Sequence, residues 1–87
     1  MRLAFEERGW NEYIYWQTQD KKTLKKINNL LKDINRQPFT GIGKPEPLKD
    51  NLSGYWSREI DGANRIVYKV ENEQIIVVQC KDHYDDK

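Results

Sequence analysis

The chain holds one cysteine, Cys80. It cannot form an internal disulfide, and without CxxC or Cys/His spacing it offers no structural zinc site. Apolar runs of membrane-spanning length are missing, and Met1 leads into a strand-like segment rather than the apolar stretch of a secretory leader. The expected setting is a reducing cytoplasm, with no membrane partner. Charge of one sign is in short surplus as well: the net formal charge is +1, far from the excess of a general nucleic-acid binder. No phosphate loop, GxSxG or HExxH signature occurs, so nucleotide hydrolysis, serine-hydrolase chemistry and zinc proteolysis have no support.

What is present suits one small domain. A chain of 87 residues buries only about 60% to two-thirds of its unfolded surface, enough for a single core spanning 1–87. Three Trp, five Tyr and two Phe offset a modest aliphatic content, so the core should be rich in aromatic rings. The charges are unevenly placed. Residues 20 to 49 carry eight Lys or Arg against three Asp or Glu, whereas everything after Val70 carries two against five. A polyanion, if bound, would contact a local patch.

Arg2 to Phe5 reads as a strand. From Glu6 to Gln19, Trp10, Tyr13, Ile14 and Gln17 recur at helical spacing, with acidic residues toward the positive end of the helix dipole. Asp20 offers an N-cap to a second helix whose apolar face is Leu24, Ile27, Leu30, Leu31 and Ile34, and which ends before Pro38. Its other face carries Lys21, Lys22, Lys25, Lys26, Lys32 and Arg36, either a surface for RNA or the ribosome or an ordinary solvated stripe. All three prolines and two of the five glycines fall between Pro38 and Leu52, which predicts a covering loop. Beyond Gly54 the period becomes two, and Tyr55 to Ile60, Arg65 to Val70 and Gln74 to Lys81 read as three strands of a meander. The order β-α-α-β-β-β predicts an α+β fold: an antiparallel sheet with the two N-terminal helices packed on one face and the other face open.

Several residues have the chemistry of a phosphodiester site. Glu46 lies between Pro45 and Pro47, which restrict the backbone around a carboxylate and suit it to general-base work, although prolines are common in any loop. Lys44 and Lys49 flank it. Arg58 and Arg65 fall in neighbouring strands, where they meet a phosphate together or pair with Glu59, Asp61 or Glu71. His83 is the one histidine, the side-chain type suited to passing a proton near neutral pH, and Tyr84 adds a hydroxyl and a ring; each also has a plain surface or packing reading. A metal site built from Asp82, His83, Asp85 and Asp86 would need adjacent ligands in a flexible terminus, and no metal is assigned. Cys80, in the last apolar strand, reads as a small buried hydrophobe.

Four ordered motifs, Gly43-Lys44-Pro45-Glu46-Pro47-Leu48-Lys49, Asn51-Leu52-Ser53-Gly54-Tyr55-Trp56-Ser57-Arg58, Arg65-Ile66-Val67-Tyr68 and His83-Tyr84, resemble the YoeB (Txe) toxin family of the RelE superfamily. The similarity runs nearly end to end, from the Trp10 to Trp16 stretch through Lys25-Lys26-Ile27-Asn28. It implies a RelE-like, microbial RNase-type fold and a toxin of a type II toxin-antitoxin system, a ribosome-dependent endoribonuclease that cleaves mRNA in the A site and inhibits translation. By position, the resemblance makes Glu46 the base for the ribose 2′-hydroxyl and His83 the acid for the leaving 5′-oxygen. Arg65, Arg58 and Lys49 would stabilise the phosphorane-like transition state, and Tyr84 would orient phosphate or base. It further implies no cofactor or metal, a homodimer, a YefM (Axe) antitoxin, and operator DNA bound only through the antitoxin complex. Three departures stand out. Glu59 replaces a commonly basic residue, Ala63 a commonly acidic one, and Asp85, Asp86 and Lys87 extend past the His-Tyr pair as an expected flexible tail.

Overall fold

The computed structural model describes residues 1–84; the expected tail lies outside them. The chain runs β1 (Arg2–Phe5), α1 (Glu7–Gln19), α2 (Lys21–Arg36), β2 (Glu46–Pro47), a 3-10 turn (Asp50–Leu52), β3 (Trp56–Glu59), β4 (Arg65–Glu71) and β5 (Gln74–Gln79). The five strands form one sheet in the order β1-β5-β4-β3-β2. Both helices cover one face, where Trp16, Ile27, Leu30, Leu31 and Ile34 pack on Ile60, Ile66, Tyr68, Ile75 and Val77. Among the described residues no helix is long and apolar enough to cross a membrane.

The α+β class and element order follow the sequence expectation, with two refinements. The sheet is mixed, because β1 pairs parallel to β5 while the meander is antiparallel. The Pro38 to Leu52 segment also contributes β2, a two-residue edge strand paired with β3, and its Pro47 is tolerated because an edge leaves one side of the ladder open.

Helix α2 forms as expected, with the Asp20 carboxylate accepting from the Lys22 and Thr23 amides at 3.0 and 3.2 Å. Helix α1 is rotated from expectation. Trp10 and Ile14 stay about half exposed, and the buried residues are Gly9 and Trp16. A Cβ on Gly9 would stand 2.6 Å from the Val77 carbonyl oxygen, so only glycine lets the helix lie this close to β5. Trp16 then reaches Cys80, its indole N–H donating to the backbone carbonyl at 2.9 Å. Cys80 is buried, and desolvation together with the Glu12 charge pushes its thiol up to about 12.

The segment from Gln37 to Gly43 has almost no regular structure and is held from inside. Arg58 is fully buried, and its five N–H groups are all used. Nε donates to the Tyr68 hydroxyl (3.2 Å), Nη1 to Asp33 Oδ2 (2.6 Å) and the Ile42 carbonyl (2.9 Å), and Nη2 to the Gln37 and Thr40 carbonyls (2.7 and 2.9 Å). Tyr68 in turn donates to the Pro38 carbonyl at 2.6 Å, and the Ile42 amide donates to Asp33. Gly41 has φ 121°, and any Cβ there would collide with the Asp33 carboxylate.

The Asp33 carboxyl is held well below the usual carboxylate range, first by the Gln37 side-chain amide and then by the Arg58 guanidinium, with burial opposing both. A carboxyl that binds a proton less readily when folded contributes stability that is fully present above its unfolded value, about pH 4, and is lost as pH falls toward the depressed folded value. Asp33→Asn leaves a buried guanidinium without its counter-charge, an expected loss of about 3–5 kcal/mol at neutral pH. Urea unfolding from pH 7 to 2 should show the wild type losing stability below about pH 4 and the variant losing less; equal pH slopes would contradict the assignment.

Candidate active site

Alternation along the strands sorts their residues between two faces. Arg58 lies between Trp56 and Ile60 on the helix-covered face, whereas Ser57, Glu59, Arg65 and Val67 point to the other. Cross-strand register carries this across the sheet: Glu46 pairs with Ser57, Ser57 with Val67, and Glu59 with Arg65. Glu46 is exposed on its edge strand. With strands about 4.8 Å apart and about 3.4 Å per residue, the Glu46 and Arg65 Cα atoms lie roughly 12 Å apart, with Glu59 between them.

Arg65 is partly covered, and its position is set by the Asp61-Gly62 turn. Nη1 donates to the Asp61 and Asn64 carbonyls at 2.6 and 3.0 Å, and Nη2 faces Glu59 Oε2 at 3.3 Å. Lys44 Nζ approaches the same carboxylate at 3.7 Å. Lys44 also has φ 54°, a left-handed conformation that turns the chain from Gly43 toward Glu46. Lys49 is exposed just beyond β2 and precedes the 3-10 turn.

His83 does not sit on the last strand. β5 stops at Gln79, and Cys80 turns away with its amide donating to the Glu12 carboxylate at 2.8 Å. The segment that follows folds back over the β3-β4 turn: the Arg65 amide donates to the Asp82 carbonyl, the Asp82 amide to the Asn64 side chain, and the His83 ring nitrogen Nε2 lies 3.1 Å from the Gly62 carbonyl. His83 is exposed and Tyr84 half-buried beside it in sequence.

The structure therefore places Arg65 and His83 at the β3-β4 turn and Lys44 across Glu59 from Arg65, with Glu46 two strands from Arg65 on the edge strand β2. It removes Arg58 from the expected phosphate contacts, because a guanidinium sealed on the core face with all five donors engaged has none left for RNA. Of the helix lysines, Lys26 lines a groove of about 430 Å³ with Asn29, Leu30, Ile42, Gly43, Lys44 and Glu59. Lys21, Lys22 and Lys25 are exposed on α2 away from that lining. Among the described residues no group of three or more His, Cys, Asp or Glu side chains is placed to hold a metal ion.

Gln79 escaped the sequence reading. Its side-chain amide donates to the carbonyls of Lys81, Asp82 and His83 at 3.0, 3.4 and 3.1 Å, so it shapes the turn that carries His83. Strict alternation puts Gln79 on the core face with Val77, but a bulge opposite Val67 and Tyr68 aligns it with Val67 instead. Gln79→Leu keeps the bulk and removes the donor, at an expected cost of about 1–3 kcal/mol. In heteronuclear NMR spectra the resonances of 81–84 should move toward random-coil shifts while the helices keep theirs; unchanged shifts would show that Gln79 does not hold the segment.

Residues 5–84 match the model of the YoeB-like toxin of bacterial type II toxin-antitoxin systems. Toxin YoeB of Streptomyces coelicolor is 52% identical over 84 residues, covering 97% of this chain and 100% of that protein. The YoeB/ParE toxin from Agrobacterium tumefaciens superimposes with a TM-score of 0.94 at 43% identity, over 97% of this chain and 100% of the other. YoeB of Staphylococcus aureus, solved as a dimer and in a heterotetrameric complex with YefM, gives 0.88 at 47% identity, over 97% and 98%. Fold and relatives together define the class, a small α+β toxin of bacterial toxin-antitoxin systems. The chain belongs to the YoeB-like toxin family.

Proposed function

We propose that this toxin is a ribosome-dependent endoribonuclease that cleaves mRNA in the A site by acid-base transesterification and so stops translation. The observation that carries the reading is the arrangement around the β3-β4 turn: a guanidinium at the start of β4 fixed by backbone carbonyls, an imidazole folded against the same turn, and an exposed carboxylate two strands away on the edge strand β2.

In this mechanism Glu46 takes the proton of the ribose 2′-hydroxyl. The 2′-oxygen attacks phosphorus, the bond to the 5′-oxygen breaks, and His83 protonates that oxygen, leaving a 2′,3′-cyclic phosphate and a 5′-hydroxyl. The Gly62 carbonyl can only accept a hydrogen bond, so Nε2 carries a proton whenever that contact is made. In the doubly protonated form of the ring the Nδ1–H is then the one left for the leaving group. Arg65, with Lys44 and Lys49, stabilises the charge that develops on the phosphoryl oxygens, and Tyr84 orients phosphate or base. Base, acid and cations are all side chains, so the reaction needs no metal or cofactor.

Partners follow by the same reasoning. The S. aureus relative assembles with YefM and as a dimer, and a YefM-type antitoxin and a homodimer are proposed here, with operator DNA reached through the antitoxin. Trp10, Ile14 and Tyr15 leave apolar surface exposed on α1, which suits protein partners.

Acid-base assistance contributes on the order of 10²- to 10⁴-fold per group. Glu46→Gln and His83→Gln should each lower cleavage by such factors in primer extension on translated mRNA, with ribosome binding retained. Cleavage at the wild-type rate by both variants would contradict the assignment. Ribosome binding without cleavage by any form, wild type included, would favour a noncatalytic ribosome- or RNA-binding module using the exposed α2 lysines.

A further inference from the structure

Arg65 presents one edge of its guanidinium to the chain and the other to a carboxylate. Two backbone carbonyls hold Nη1, so the fork keeps its place without help from Glu59. Nη2 is left for Glu59 Oε2 at 3.3 Å, while Glu59 Oε1 lies 3.7 Å from Lys44 Nζ. Register enforces the arrangement, since Glu59 stands directly opposite Arg65 on the adjacent strand. The Glu59 backbone is anchored too, its amide donating to the Gly43 carbonyl at 2.6 Å. Its side chain is 36% exposed and that of Lys44 83%, so solvent and solutes reach this carboxylate directly.

We propose that Glu59 is a built-in competitor for the anion site: its carboxylate occupies the position between Arg65 and Lys44 that a phosphodiester takes, and the substrate enters by displacing it. The proposal rests on reading this face as a phosphate site. Carboxylate and phosphate oxygens both fit the guanidinium fork, so the two anions compete for the same donors. Once displaced, Glu59 stays beside Glu46 on the same face and adds negative charge near the incoming phosphate. Both pairs share the solvent-open Glu59 carboxylate and the Lys44 one is nearly fully exposed, so each contributes little, and Glu59 weakens anion binding by only about three- to tenfold across its two cations. That suffices to disfavour free RNA and stray anions, while RNA held at high effective concentration on a larger scaffold still saturates the site.

The test uses two probes on the intact protein: inorganic sulfate, followed through the Arg65 side-chain NMR resonance, and a single-stranded RNA with a 2′-deoxy sugar at the scissile position. Glu59→Gln should bind both about three- to tenfold more tightly, and in cleavage of translated mRNA the change should fall in KM rather than in kcat. Glu73→Gln, which removes an equal charge at the distant β4-β5 turn, controls for net charge and should change sulfate binding by less than twofold. Sulfate binding by Glu59→Gln no tighter than wild type, or equal tightening by Glu73→Gln, would overturn the proposal. Tighter sulfate binding with no RNA cleavage by either protein would uphold the anion site and contradict the nuclease reading instead.

Discussion

The Asp33 and Arg58 pair is the constraint on which the rest of the structure depends. A guanidinium on the core side of a small sheet is tolerable only with every N–H satisfied and its charge matched. Here Asp33 supplies the charge from α2, and the chain from Gln37 to Ile42 supplies three of the five acceptors as backbone carbonyls. The segment is therefore ordered by its bonds to a buried side chain rather than by a ladder of its own. Gly41 within it and Gly43 just after it both take positive φ; a Cβ would meet the Asp33 carboxylate at the first and Leu30 and the Arg58 side chain at the second.

What this internal strut delivers is the start of β2. Gly43 is fixed by the Glu59 amide, Lys44 turns left-handed, and Glu46 joins the sheet edge opposite Ser57. On the other side of the same turn region, Gln79, Asn64 and Glu12 shape the chain beyond β5 so that His83 folds back toward Gly62. Two segments with little regular structure are thus both held by buried or half-buried polar side chains. The sheet supplies the rigid floor, and Arg65 stands where the two converge. Pre-placed charges of this kind act without reorganising during a reaction, which is the property transition-state stabilisation requires.

Much of this was legible from residue spacing, and the misses have physical causes. The α2 stripe and the meander were readable because their periods of 3.6 and 2 are long and clean. Helix α1 was misread because Trp10 and Ile14 are apolar yet exposed, while a glycine makes the closest approach to the sheet. Strand β2 is two residues long and carries a proline, below what any periodicity can reveal. Arg58 had a visible clue, since it alternates with Trp56 and Ile60 on one face, and Asp33 sits among the buried α2 residues; a charge of each sign on apolar stripes points to a buried pair. Gln79 was beyond reach, because one bulge reverses which face it occupies. The motifs carried by resemblance name Glu46, Arg65 and His83 and contain Arg58 and Tyr68, but they leave out Asp33, Asn64 and Gln79, which complete the support of those segments.

The most direct test of the account is amide hydrogen exchange in Arg58→Lys. Lysine keeps the charge and has three donors against five, so the account predicts that the Ile42 and Glu59 amides, which bond to Asp33 and to the Gly43 carbonyl, lose protection while those of β4 and β5 keep theirs. Wild-type protection at Ile42 and Glu59, combined with loss of RNA cleavage, would contradict it and make Arg58 a substrate contact after all.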